Sequence, residues 1–302
     1  MTLPKIPRSL LAFAALVVAG IYFFATAPTD LDDATAARDV PVETLFRLLD
    51  AENASVRAIY TGEIVTPGQK IGLAYREDWK SGDVHAGPLP ALLLRETANR
   101  LQQRVPELNL FLGSTYPIEA SNMFEGTQSR YFAGIERDRK PRFFLDDSTG
   151  RQTAMFPDIA SAPACVTCHN EHAKSPRKDW KQGDVMGATT WSFARGTLST
   201  DEVIEILAAY RASAMDTYDA YLKKTARFDT AKRPQLGERW PKDGLYLPDA
   251  QTFRRRVEER NSIASLNLLL EARTADRPAV AEGASPSTAT RAGTQGSAET
   301  AP

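Results

Sequence analysis

The chain has 302 residues, 42% of them hydrophobic and 25% charged, with a formal net charge of −1. That is an ordinary globular mixture. It carries no global field for nucleic acid and no basic stripe with interleaved aromatics; Arg254-Arg255-Arg256 is followed by Glu258 and Glu259 and reads as a solvated helix face. No phosphate loop, nucleophile elbow or kinase signature occurs, so enzymatic activity is not expected.

At the N-terminus, Lys5 and Arg8 precede an almost unbroken apolar run from Leu10 to Ala27, and Asp30, Asp32 and Asp33 follow it. Basic residues before the run and acidic residues after it predict an N-terminus in the cytoplasm and the remainder across the membrane. The run is about long enough to span a bilayer and exceeds the roughly 7–15 residues of a signal-peptide core. Residues 1–29 therefore read as a cytoplasmic stub and a single transmembrane helix. Ala25-Thr26-Ala27 resembles a cleavage site, although Pro28 is a poor residue after a cut, and a cleaved signal peptide is the alternative. Both readings put the folded part in the periplasm, and the first ties it to the inner (cytoplasmic) membrane.

Beyond a polar linker, Val42, Leu45, Leu49, Val56 and Tyr60 recur at helical spacing. A second helix is predicted from Pro88-Leu89-Pro90, with Leu94, Ala98, Leu101 and Val105 as its inner stripe. The middle reads as β: Tyr131, Ala133 and Ile135 alternate with more polar residues, and Arg142–Leu145 with Gln152–Phe156 flank a hairpin turn at Asp146–Gly150. Val185–Phe193 is a further strand. Ser199 with Glu202 forms a capping-box pattern that opens a helix through Val203, Leu207, Tyr210, Ala214 and Tyr218. A proline-punctuated loop, Arg233–Pro248, leads to a last helix over about Ala250–Ala272. From residue 274 to 302 the composition has almost no large apolar residue, so a disordered tail is expected. The fold class predicted is α+β, helices enclosing a central antiparallel sheet.

A short repeat also stands out. Residues 77–84 and 178–185 agree at Asp, Trp, Lys, Gly, Asp and Val, with His85 and Met186 following at the same offset. It reads either as two similar polar turns or as a paired device around one ligand.

Both cysteines of the chain lie in Cys165-Val166-Thr167-Cys168-His169. Two thiols at this spacing reach the two vinyl groups of one porphyrin, and the following histidine places an imidazole under the iron. One covalent haem c is expected. Three rivals fare worse. A Cys165–Cys168 disulfide would close a tiny loop and stabilise little. A thioredoxin-type pair needs a strand before it, a helix after it and a βαβ context that the sequence does not display. A zinc site on Cys165, Cys168, His169 and His172 would crowd all its ligands into one short segment.

The run from Cys165 to His172, then Ser175-Pro176 and Asp179–Gly187, together with Pro88-Leu89-Pro90-Ala91, resembles a family of single-haem c-type domains with a PAS-like fold. The resemblance covers residues 40–195. It implies a PAS-like antiparallel sheet with flanking helices, Cys165 and Cys168 as thioether sites, His169 as proximal ligand, and redox or gas sensing outside the membrane. Residues 196–273 then form a helical C-terminal extension. Some relatives use a distant cysteine as second iron ligand, and this chain has no third cysteine.

The chain has 3 histidines and 5 methionines to fill that second position. His172 is too near His169 to reach the opposite haem face. His85 is the first candidate and Met155 the second; Met186 lies beside the motif, Met123 lies in a loop, and an open position is the remaining option. Two strong ligands favour electron transfer, whereas a weak or absent one opens the iron to gas. The leading expectation is a membrane-anchored haem sensor with a redox or signalling partner protein. The alternative is an electron-transfer cytochrome serving a membrane partner, and oligomeric state stays open.

Overall fold

The computed structural model describes residues 39–275. The apolar run of residues 10–27 and the chain beyond residue 275, where an anchor and a tail are expected, lie outside that range. Among the described residues, no helix is long and apolar enough to cross a membrane. The class is α+β.

β1 (Val40–Pro41) leads into α1 (Val42–Ile59), whose buried Val42, Leu45, Phe46, Leu49, Asn53 and Val56 share one helical face. The helix widens to a π-helical turn at Tyr60–Val65 and resumes as α2 (Thr66–Lys70). β2 (Ala74–Arg76) and β3 (Ala86–Pro88) make a small parallel ribbon. α3 (Pro90–Arg104) begins on its expected proline. Its buried face runs through Leu93, Leu94, Thr97 and Leu101. Thr97 takes an inner place because its hydroxyl donates to the Leu93 carbonyl at 2.9 Å.

β4 (Leu108–Gly113) was not evident in the sequence, and the segment read as a strand around Tyr131–Ile135 is instead α4 (Gly126–Asp138). Phe132 and Ile135 are three apart and buried on one helical side, and the i, i+4 spacing of Tyr131 and Ile135 fits a helix as well as it fits an alternation. The hairpin is as predicted, with β5 (Arg142–Asp146) and β6 (Arg151–Ile159) turning through Gly150 at φ 68°. α5 (Pro163–Glu171) carries the cysteine motif, and β7 (Val185–Phe193) follows. After β8 (Thr197–Leu198), α6 (Thr200–Thr225) opens with the predicted capping box. The loop expected at Arg233–Pro248 contains a parallel pair, β9 (Gln235–Gly237) and β10 (Tyr246–Pro248), before α7 (Ala250–Ala275).

The main sheet is antiparallel with order β4-β7-β6-β5. One face presents Leu108, Ala154, Phe156, Trp191 and Phe193 to a core shared with α1, α3, α6 and α7. The other presents Met155, Phe144 and Ala188 to Phe132 and Ile135 of α4. The chain after Gly196 does not fold apart: Tyr210, Tyr218 and Phe253 lie in the same core as Leu45 and Trp191. Buried Glu52 of α1 binds that layer together, accepting from Arg211 of α6 at 2.9 Å and from Asn261 of α7.

β6 and β7 bracket α5, which makes a strand–helix–strand sequence after all. They are antiparallel neighbours, however, with Asp158 opposite Gly187. The helix therefore sits in an excursion between hairpin strands, not in the parallel crossover of a thioredoxin-type site.

Candidate functional site

Pro163 begins α5, where the N–H it lacks would have had no partner. Along the 9-residue helix, Cys165, Cys168 and His169 stand at i, i+3 and i+4, so their side chains leave within an arc of about 100°. None of the helix's residues is buried. Such a short helix has little intrinsic stability. What seats it is a small cluster of Ala160, Trp180 and Met186 beneath Cys165 and Val166. Two further devices position that cluster. The Asn170 side chain accepts from the Trp180 N–H at 2.9 Å and donates to its carbonyl at 3.0 Å. A bulge pairs Asp158 with Gly187 and Ile159 with Val185, so Met186 is skipped by the ladder and turned toward the helix.

His169 Nδ1 is buried and has no partner, and the ring stands edge-on to Trp180 at 6.3 Å. Burial lowers the His169 pKa, against an opposing pull from Asp158. The imidazole is therefore neutral near pH 7, the form with a lone pair for a metal. Burial, then the charge of Glu77, pushes the Cys168 thiol up. It remains a thiol, not the thiolate that nucleophilic or disulfide-exchange chemistry requires. Both cysteines are free. His172 is engaged at both nitrogens, with Nε2 3.2 Å from Glu77 Oε1 and Nδ1 accepting from the Lys174 N–H at 3.2 Å. That removes it from a zinc set, and among the described residues no group of three or more His, Cys, Asp or Glu could hold a metal ion.

A charged cluster adjoins the helix, and sequence reasoning missed it. Arg57 of α1 donates to Asp158 Oδ1 at 2.7 Å and to Thr189 Oγ1 at 3.4 Å. Burial works against the Arg57 charge, but Asp158 outweighs it, with smaller contributions from Asp50 and Cys165. Asp50 lies two helical turns before Arg57 on the same face of α1. Burial pushes its carboxyl up to about 7 in spite of Arg57, and the Trp191 indole N–H beside it has no hydrogen-bond partner within range. A charged pair two turns apart looks like any solvated helix face in the sequence. Only the return of β6 reveals its setting.

The two candidates for a second iron ligand are not brought to α5. His85 sits 3.5 Å from Asp229 and edge-on to Phe228 at 5.3 Å, both just past the end of α6. It lies beside Leu73 at the opposite end of the β2–β3 ribbon from Glu77, the residue that reaches His172. That end is about 13 Å away at the usual rise per residue. Met155 is 0% exposed, packed among Phe132, Ile135 and Phe144. Met123 is exposed. Met186 is the methionine packed against Cys165.

The repeated segments prove to be two turns with different surroundings. Trp79 lies in the main core and Trp180 under α5. Gly183 has φ 91°, a left-handed conformation that Gly82 does not share. His85 and Met186 accordingly face different clusters.

The donor set fits a c-type haem. Two free thiols and a neutral imidazole leave one arc of an unburied helix, and the buried ring nitrogen lacks a partner. Residues 47–194 match the family described as Tll0287-like, a family of c-type haem domains. The matched span includes the cysteine helix and the whole four-stranded sheet. No curated protein and no solved structure is matched.

Proposed function

We propose that Cys165 and Cys168 hold one haem c through thioether bonds, with His169 as proximal ligand, and that the chain works outside the cytoplasmic membrane as a non-enzymatic redox or gas sensor. The observation that carries the haem reading is the single arc of thiol, thiol and neutral imidazole on a helix with no buried residue. A porphyrin laid on that arc supplies the apolar surface the helix lacks. When bound, it supplies a one-electron redox centre. The chain's own contribution is to hold His169 neutral, to seat α5 on Trp180 and Met186, and to place Arg57 and Asp158 beside it. A charged network in that position makes the surroundings responsive to a change of charge at the site, which supports sensing. An N-terminal anchor in the apolar run of residues 10–27 would fix the module to the membrane next to its partner.

Electron transfer to a partner protein is the second reading, and one feature favours it. His169, Trp180 and Tyr116 are spaced at 6.3 Å and 6.3 Å, and Tyr116 is 41% exposed. Arg177 lies over both outer rings, at 4.0 Å from Trp180 and 5.9 Å from Tyr116. The series leads from the imidazole to the surface.

A denaturing gel stained for haem tests the central claim, in a host that attaches c-type haem. Stain is expected in the wild type and absent from Cys165→Ala/Cys168→Ala; an unstained wild type refutes it. The reduced protein with carbon monoxide then separates the two readings. Ready binding favours sensing, and a six-coordinate low-spin spectrum that resists carbon monoxide favours electron transfer. Met186→Ala, His85→Ala and Met155→Ala, read the same way, rank the candidates for the second position.

A further inference from the structure

The groups around α1 and the end of β6 do not balance in charge. One guanidinium, Arg57, serves two carboxylates, Asp50 and Asp158. Its hydrogen bonds go to Asp158 and Thr189. Neither reaches Asp50, although it projects from the same face of α1. The groups facing it can be named element by element. From α1 itself comes Arg57. From β6 comes Asp158, from β7 the Trp191 indole, and from α6 the Tyr210 phenol, which donates to Asn53 at 3.1 Å. Only Arg57 is cationic, and it is committed elsewhere. Trp191 offers an N–H, a donor that favours the ionised carboxyl, but burial outweighs it.

We infer that Asp50 is the proton acceptor linked to reduction of the site, taking up one proton as one electron enters. The linkage runs through shared charge: Arg57 lies within electrostatic reach of both Asp50 and Cys165, and Asp158 of both Arg57 and His169. An electron arriving from a one-electron donor adds one negative charge beside this network. In a half-buried, weakly polarisable setting that charge raises the proton affinity of the least compensated carboxylate. The proton comes from solvent, which reaches Asp50, and the net charge of the cluster plus site is then unchanged. The carboxyl of Asp50 already sits at about 7 before any electron is added. The linkage therefore acts in the neutral range. This inference rests on the haem reading of Cys165, Cys168 and His169.

The experiment is a spectroelectrochemical titration of the haem-loaded full chain at a series of pH values. The haem band confirms loading first, so a protein without haem would sink the functional reading, while this inference is judged on loaded protein alone. In the wild type the midpoint potential should be flat at acid pH, fall as pH rises above about 7, and flatten again once the reduced form has lost the proton, because reduction in that interval carries a proton with it. Asp50→Asn should remove the slope, Asp50→Glu should restore it with a displaced midpoint, and Asp158→Asn, which frees Arg57 for Asp50, should move it to lower pH. A flat wild-type potential, or a slope that survives in Asp50→Asn, overturns the assignment. Should Asp50→Asn fail to fold, redox-difference infrared spectroscopy on the wild type gives an independent answer. A protonated-carboxyl C=O band that grows on reduction and shifts in D2O is expected, and its absence refutes the inference.

Discussion

The layer joining α1, α6 and α7 and the excursion between β6 and β7 each bury a tryptophan, but in opposite styles. In the layer, Trp191 is 0% exposed amid continuous packing. Tyr60, Tyr75, Tyr218 and Tyr221 meet at 6.2–6.4 Å, and Tyr60 and Tyr218 donate to the Pro88 and Pro248 carbonyls at 2.6 and 2.7 Å. Remove one contact and many remain. In the excursion, Trp180 is 3% exposed within a cluster of three buried residues, below a helix that buries none of its own. The first region is complete in itself. The second has the shape of a seat.

The largest effect should fall on the complete region. Trp191→Ala should cost about 3–5 kcal/mol in urea unfolding, lowering the midpoint without changing cooperativity. Asp50→Asn should act in the other direction, measured in the Cys165→Ala/Cys168→Ala background to exclude haem. The folded carboxyl sits at about 7, against an ordinary value of 3.8. The folded state thus keeps a proton that the unfolded chain releases, and stability falls as pH rises between those values. The variant should gain about 1–3 kcal/mol at pH 8 and almost nothing at pH 4. Trp180→Ala in the same background should cost only about 1–2 kcal/mol, because the helix it supports buries none of its own residues and rests on three buried side chains. Amide exchange should be faster across residues 160–184 than in β6 and β7. If Trp180→Ala costs as much as Trp191→Ala, the two regions unfold as one and the contrast collapses. Smallest, Ser199→Ala should lose about 1 kcal/mol by removing the cap of α6. Ser199 Oγ accepts from the Glu202 N–H at 3.2 Å, and Glu202 Oε2 accepts from the Ser199 N–H at 2.8 Å.

What could be read from the sequence was what rests on neighbours in the chain. The capping box, the Asp146–Gly150 turn, the strand Val185–Phe193 and the cysteine motif all depend on residues a few positions apart, and each stands where it was expected. α4 was misread because Tyr131, Ala133 and Ile135 satisfy a period of two as readily as part of a helical one. Only the Tyr131 ring stacked on Phe144 at 3.8 Å shows which applies. β4 escaped notice because its side chains serve two cores at once: Leu108 faces one and Phe111 the other, so no polar face marks it. At the site, the thiols and imidazole were legible, whereas Arg57 with Asp158 was not. That contact spans 101 positions and exists only because β6 returns beside α1.

The bulge at Asp158 and Ile159 has one more consequence. Because the excursion leaves and rejoins the sheet on adjacent strands, its two ends are pinned at the spacing of a ladder pair whether or not α5 is seated. Peeling the segment off breaks Met186's contacts and the Asn170 clamp, but it opens no loop that must later find its own ends. The segment behaves as a hinged flap on a finished frame. Reseating is a local search of a few residues, and covalent work on Cys165 and Cys168 can be done on protein whose sheet is already built.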